Sequence, residues 1–171
     1  MAVDVLYEDF IERLASMKSD QDFFNNNSEH ARIVLTALFR HANVDATVYC
    51  MNLLSEHVSN APEYLEAVKG FLERKGLIRV YLTDYNEERA AITPVYQLFK
   101  KYPEQVELYR TDSRIIYNGV PVHFTCTDGQ AFRLETDITN KKAIGNFNNP
   151  QVVQILLKSL KDIDAQQIPI S

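Results

Sequence analysis

Apolar residues recur along this chain with two different periods, and the switches between them mark out helices and strands. Over residues 3–17, Leu6, Phe10, Leu14 and Met17 stand four, four and three apart, the spacing that lines one face of a helix. Residues 18–27 are polar, contain Asn25-Asn26-Asn27, and read as a loop. Ser28 can accept a bond from a free first-turn N–H, and Glu29 suits the positive end of a helix dipole. The second helix that starts there carries the stripe Ala31, Val34, Leu35, Leu38 and Ala42. Residues 45–51 then alternate as a strand, with Val48 and Cys50 on one side and Thr47 and Tyr49 on the other. Pro62 can open a helix, where its missing N–H costs nothing; Leu65, Val68 and Leu72 form its face and Gly76 its end. The compact run Leu-Ile-Arg-Val-Tyr-Leu at residues 77–82 reads as a buried strand. Strand, helix and strand form a βαβ unit, which predicts a parallel pair with a right-handed crossover.

Residues 84–89 form a polar loop at the end of that strand. Thr93-Pro94 starts a further crossover helix carrying Val95, Leu98 and Phe99, and residues 106–110 form a third strand. The pattern then changes. Asn118-Gly119 and Asp128-Gly129 are two turn signals ten residues apart, each able to take positive φ at both central positions of a hairpin turn. They predict an antiparallel meander of residues 114–117, 120–127 and 131–135. Pro121 cannot donate to a ladder and belongs at a strand's beginning. Asn149-Pro150 caps a last helix with the face Val152, Val153, Leu156, Leu157, Leu160 and Ile163.

Composition changes this picture little. With 171 residues, 46% hydrophobic and 24% charged, the chain reads as one globular domain able to bury roughly two-thirds of its unfolded surface. Residues 1–27 are read as an N-terminal helix and loop extension, 28–163 as the core, and 164–171 as a loose tail. A net charge of −5 lacks the basic excess of a large nucleic-acid surface. Cys50 and Cys126 lie in strand-like runs and read as buried free thiols, with no CxxC pair to suggest zinc or thioredoxin chemistry. The acidic residues 1–10 do not read as a signal peptide, and no apolar run approaches ~18 residues, so no membrane association is expected and the cytoplasm is the expected compartment. His30, His41 and His57 have no partners at metal-ligand spacing, and no Gly-rich phosphate loop or G-x-S-x-G elbow occurs. No metal or cofactor is expected.

Three local features follow one another in a set order. His30-Ala31 opens a helix ahead of the Val48 and Leu77–Leu82 strands; the strand 120–127 runs into the Asp128-Gly129 turn; Gly145-Asn146-Phe147-Asn148 precedes a helix. In that order, residues 28–163 resemble one repeat of the phospholipase D superfamily. The resemblance implies an α/β fold with a mixed sheet, a βαβαβ core followed by antiparallel hairpin strands, and helices on both faces. In that family a strand carries a nucleophilic His, a phosphate-binding Lys two residues later, and an Asp five further on beside Gly. Here Asp128-Gly129 aligns with the Asp-Gly, Pro121 stands at the nucleophile's place and His123 at the lysine's. Gly145-Asn146-Phe147-Asn148 looks like a shifted form of the family's asparagine-containing segment. The family pairs two such units, so a homodimer is implied.

The expected function is therefore a non-catalytic module in protein assembly or regulation, acting with a second copy or a partner protein through aromatics such as Tyr81, Tyr85, Tyr96, Tyr109 and Tyr117. An alternative is a phosphodiesterase or nuclease whose site is rearranged around His123, Arg133, Glu135, Asn146 and Asn148. His123 would attack phosphorus, Arg133 would bind phosphate in a fork, and the asparagines would add donors. A third reading, not favoured by the charge, is nucleic-acid binding through Arg110, Arg114 and Arg133. Each residue also has a plainer role: His123 as a satisfied strand histidine, Arg133 and Glu135 as an ion pair, Asp128 as a turn former. A strict two-residue Asp-Gly turn pairs Phe124 with Arg133 and His123 with Leu134. That register sets His123 on the opposite face from Arg133 and Glu135, whereas a longer loop or a bulge would change it.

Overall fold

The computed structural model describes residues 4–52, 58 and 60–170. In chain order its elements are α1 (Val5–Ser16), β1 (Phe23–Asn25), α2 (Ser28–His41), β2 (Asp45–Cys50), α3 (Pro62–Glu73), β3 (Leu77–Leu82), α4 (Glu87–Ala91), α5 (Pro94–Phe99) and β4 (Val106–Thr111). There follow β5 (Ile116–Tyr117), β6 (Val120–Pro121), β7 (His123–Thr127), β8 (Ala131–Asp137), β9 (Lys142–Asn146), α6 (Pro150–Ser159) and β10 (Ala165–Ile168). Eight strands form one mixed sheet in the order β1-β9-β8-β7-β2-β3-β4-β10. The β2-β3-β4 core is parallel, as the βαβ units require, and the remaining pairs are antiparallel.

Alternation along the strands divides the core in two. Ile78, Val80, Leu82, Val106 and Leu108 meet Phe39 of α2, Phe71 and Leu72 of α3, and Val95 and Phe99 of α5. Next to them Ile11 and Leu14 of α1 pack with Val34 and Leu38 of α2, Phe23 and Phe147. On the opposite face, Val153, Leu156 and Leu160 of α6 cover Tyr49, Phe124, Cys126, Phe132 and Leu134.

Side-chain oxygens cap the first-turn amides of every described helix but α3, whose N-cap is Ala61, and one cap is shifted from its expected place. Asn27, not Ser28, caps α2 by accepting from the His30 N–H, while Thr93 and Asn149 cap α5 and α6 as their Pro-led sequences predict. The α1 face is also rotated from its expected phase. Tyr7, Phe10, Ile11, Leu14 and Ala15 face the core, whereas Leu6 and Met17 are 84% and 70% exposed. The inward set has the i, i+3, i+4, i+7, i+8 spacing of an apolar stripe, which Leu6 and Met17 miss. At the end of α3 the left-handed residue is Lys75 (φ 70°), not Gly76. Arg74 does not dangle in solvent: its guanidinium donates to the carbonyls of Phe39 and Ala42 at 2.9 and 2.7 Å and closes the end of α2.

Six other expectations are corrected. The polar loop 18–27 contains β1, which pairs with β9, and the expected tail contains β10, which pairs with β4. The loop 84–89 leads into the short helix α4. The segment before α6 contains β9. Leu77–Leu82 is buried on one face only, because Leu77 and Arg79 point to solvent. The expected three-stranded meander is split. β5 and β6 form their own hairpin around Asn118-Gly119, while β7 and β8 pair within the main sheet, β7 lying between β2 and β8. Tyr49 governs this split: its hydroxyl donates to the Ser113 carbonyl and accepts from the Ile115 N–H, both at 3.0 Å, pinning the chain just before the small hairpin.

Candidate functional site

The register of the β7–β8 hairpin decides which side chains meet. Asp128 and Gly129 take positive φ of 55° and 66°, as an Asp-Gly turn requires, but Gln130 also belongs to the loop and Thr127 pairs with Ala131. One extra loop residue moves the register by one. His123 therefore lies opposite Glu135 and Thr125 opposite Arg133, so His123, Arg133 and Glu135 share a face. A register shift between Glu135 and Asp137 further bends β8 at this point. Asp128 does more than turn the chain. Its carboxylate accepts from the backbone N–H groups of Asn43, Val44 and Asp45 at 2.9, 2.8 and 3.1 Å, fixing the hairpin to the start of β2.

Arg133 and Glu135 are 5% and 4% exposed, so their charges must be matched within the protein. Arg133 Nε donates to Asn25 Oδ1 at 2.8 Å, and a terminal nitrogen donates to Glu135 Oε2 at 2.7 Å and to the Lys141 carbonyl at 3.3 Å. The other Glu135 oxygen faces His123 Nδ1 at 3.5 Å and Lys141 Nζ at 4.0 Å. Burial alone would raise the Glu135 carboxyl, but His123, Arg133 and Lys141 outweigh it and hold the group below the ordinary carboxylate range. The Tyr49 ring stands edge-on to His123 with centroids 6.1 Å apart. The Lys141 backbone has φ 58°, and its carbonyl accepts from both Asn25 and Arg133. A left-handed L-residue costs roughly 1–2 kcal/mol, so these bonds offset a local strain.

A cavity of 190 Å³ opens from this group. His123, Arg133, Glu135 and Lys141 make its charged end; the rest of its lining is mostly apolar, with Phe39, Ile78, Val80, Val95 and Phe99, and includes the polar Asn52 and Thr125. It runs over β3 to the C-terminal end of β2, which has a parallel neighbour on one side and an antiparallel one on the other. In α/β sheets that discontinuity is where ligand crevices form. Cys50 lines the same cavity, and burial pushes its thiol up to about 12, so it is held as the neutral thiol.

Asn146 and Asn148 do not join the group. Asn146 pairs with Phe132, which puts its side chain on the α6 face, at the far end of β9 from Ala143, the partner of Glu135. There its amide donates to the Asp20 carbonyl and Asp22 Oδ1, and its oxygen accepts from the Asn148 N–H. Asn25 and Lys141 take part instead, and the sequence reading missed both. The usable signal for Asn25 was Phe23-Phe24 ahead of the asparagine run, a strand-like pair within a segment read as loop. For Lys141 it was the turn chemistry of Asp137 and Asn140, whose N–H donates to Asp137 Oδ1 at 3.1 Å.

The remaining candidates have structural partners. His30 Nε2 lies 3.0 Å from Asp4 and its ring stacks on Tyr7; His41 Nε2 lies 2.6 Å from Glu12, so both histidines tie α2 to α1. His57 lies outside the described residues. Arg110, Arg114 and Arg133 do not form one surface: Arg133 is buried on β8, with three strands between it and β4, while Arg110 binds Gln166 and Arg114 reaches the Thr83 carbonyl. Of the tyrosines expected at a surface, Tyr96 is buried, whereas Tyr81 and Tyr109 stack on each other at 4.9 Å on the sheet and stay half-exposed. Among the described residues no helix is long and apolar enough to cross a membrane, and no group of three or more His, Cys, Asp or Glu side chains is placed to hold a metal ion.

Comparison of the backbone with solved structures finds the phospholipase D family member Nuc from Salmonella typhimurium, with a TM-score of 0.55 and 12% identity over 87% of this chain and 99% of that one. The chain has a phospholipase D-like fold. NucT from Helicobacter pylori matches this fold at a TM-score of 0.54 and 8% identity, over 85% of this chain and 99% of that one. TrmBL2, an archaeal chromatin protein, matches at a TM-score of 0.59 and 11% identity over 92% of this chain; the match spans 58% of that protein. No family model and no curated protein matches the sequence. Within the phospholipase D-like fold, His123 begins β7 at the mouth of the cavity, and Pro121 lies exposed on the separate β5–β6 hairpin, paired with Ile116.

Proposed function

We propose that this chain is a non-catalytic phospholipase D-like module that acts in protein assembly or regulation, with a second copy of itself or a protein partner. The observation that carries this reading is the closed network at the polar end of the cavity. Arg133 makes its bonds to Asn25, Glu135 and Lys141, and Glu135 takes its bonds from Arg133 and faces His123 and Lys141. A phosphoryl-transfer site needs cations aimed at the charge that develops on phosphate, and a cation paired with a buried carboxylate is poorly available for that task. Pro121, at the family nucleophile's place, supplies no imidazole. The half-exposed Tyr81–Tyr109 stack and the neighbouring Arg79–Glu107 pair offer a mixed aromatic and charged face suited to a protein partner.

The test is turnover together with association state. Homogeneous protein should hydrolyse neither bis-p-nitrophenyl phosphate nor DNA, and should sediment as a dimer or bind a partner through the Tyr81–Tyr109 face. Phosphodiester turnover that disappears in His123→Ala, with thermal stability retained, would establish the other reading, a rearranged phosphodiesterase. One observation favours that alternative: His123 has a carboxylate on Nδ1 and two cations nearby, an arrangement able to orient an imidazole as nucleophile.

A further inference from the structure

We propose that the cavity between the sheet and helices α2, α3 and α5 binds a small monoanion with an apolar body, a short-chain or aromatic monocarboxylate. Its head would lie at Lys141, beside the Arg133–Glu135 pair, and its body along Phe39, Val80, Val95 and Phe99. This goes beyond the proposed assembly role: it assigns a ligand to the cavity, whether or not the chain turns over a phosphodiester.

Size, sign and geometry point to the same class. The 190 Å³ volume exceeds the roughly 150 Å³ known to hold a benzene ring and leaves room for a head group. Beyond the charged end the lining is mostly apolar, which suits a ligand with one charged terminus and an apolar body. At that end two fixed cations, Arg133 and Lys141, face one ionised carboxylate, Glu135, so one positive charge is left over when His123 is neutral. A monoanion balances that excess, and a cation is repelled. Arg133 and Glu135 are almost wholly out of water, so the sign of the head should matter strongly.

Lys141 is the residue best placed to meet the head. Its side chain is 36% exposed, and its only ion pair among the described residues is the long one to Glu135. Its carbonyl is clamped by Asn25 and Arg133 in a left-handed conformation that a glycine or asparagine would take more easily. The β8–β9 turn thus holds a lysine at the cavity mouth against its backbone preference.

The experiment is a titration of the full chain at pH 7 with sodium benzoate and sodium hexanoate, followed by calorimetry and by amide chemical shifts. Saturable binding at one site is expected, with shifts at His123, Val95 and Lys141. Acetate, which lacks the body, and benzylamine, which reverses the head, should not bind at the same concentrations. Lys141→Met should weaken benzoate about ten-fold or more, and Lys141→Arg should restore it. Val95→Phe should fill the cavity and abolish binding. If that variant does not fold, the Lys141 pair decides. Failure of both carboxylates to bind, benzylamine binding as tightly as benzoate, or undiminished affinity in Lys141→Met would each overturn the proposal. A phosphodiesterase assay on the same preparation keeps the two readings apart: turnover would sink the non-catalytic reading and leave the carboxylate result standing.

Discussion

Replacing Arg133 by methionine isolates the cost of the buried network. The substitution keeps most of the side-chain volume and removes the guanidinium. Glu135, 4% exposed, loses its 2.7 Å bond and is left with His123 at 3.5 Å and Lys141 at 4.0 Å, both beyond good hydrogen-bonding distance. Asn25 and the Lys141 carbonyl each lose a donor as well. Breaking a buried pair from one side costs about 3–5 kcal/mol, because the partner's charge is stranded. For a chain of 171 residues, at about 2–4 °C per kcal/mol, the melting temperature should fall by roughly 6–20 °C. Urea titration should show a lower midpoint with an unchanged slope. The cost should also depend on pH. In the native protein Glu135 titrates below its unfolded value of 4.5, so its contribution is complete above that value and is lost as the pH falls through the folded one. Without Arg133, burial is opposed only by His123 and Lys141, so the folded value rises from its native position and part of the variant's penalty at neutral pH is relieved by protonation. The gap between the two proteins should therefore narrow on acidification. The apolar double variant Arg133→Met/Glu135→Leu should recover most of the loss, since hydrophobic replacement of a whole buried pair is often neutral. A melting temperature within about 2 °C of the parent in Arg133→Met, or a gap that widens at low pH, would refute the reasoning.

Three further outcomes follow from contacts outside the network. Asp128→Ala removes the acceptor for three backbone N–H groups and leaves alanine at positive φ, so it should cost about 2–4 kcal/mol by urea unfolding, while Asp128→Asn, which keeps one acceptor oxygen, should cost less than half of that. Gly145→Ala would place a Cβ 2.3 Å from the Phe23 ring and 2.7 Å from the Phe132 carbonyl, so it should destabilise by about 1–3 kcal/mol and speed amide exchange in β1 first. Burial pushes the thiols of Cys50 and Cys126 up to about 12, so both should resist alkylation at pH 8 in the native protein and react together on unfolding; fast labelling of either would show that its surroundings open readily.

What could be read from the sequence and what could not divides along a physical line. The parallel core was legible because each of its signals is local: the periods of α2 and α3, Pro62 and Pro94 at helix starts, and apolar runs at β3 and β4. The edge strands β1 and β10 were not, because Phe23–Asn25 and Ala165–Ile168 are too short to show a period and become strands only through partners at 143–145 and 108–111. The same limit governs the site. His123, Arg133 and Glu135 were singled out by residue type, but whether they share a face depends on one loop residue, Gln130, whose N–H closes onto the Thr127 carbonyl at 3.0 Å. Asn146 and Asn148 failed for the converse reason. The resemblance placed them by their distance from a glycine, while the ladder with β8 placed Asn146 on the other side of the sheet. Asn25 reaches Arg133 across 108 residues of chain, and no local pattern carries that information. The group around the cavity is thus assembled by strand pairing alone. A substitution that restores a two-residue turn at Asp128-Gly129, such as deletion of Gln130, should rotate His123 away from Glu135 while the β2-β3-β4 core persists. Amide exchange that stays protected in β3 and β4, together with loss of the through-space contact between the His123 ring and Glu135, would show that register, not residue identity, builds the site.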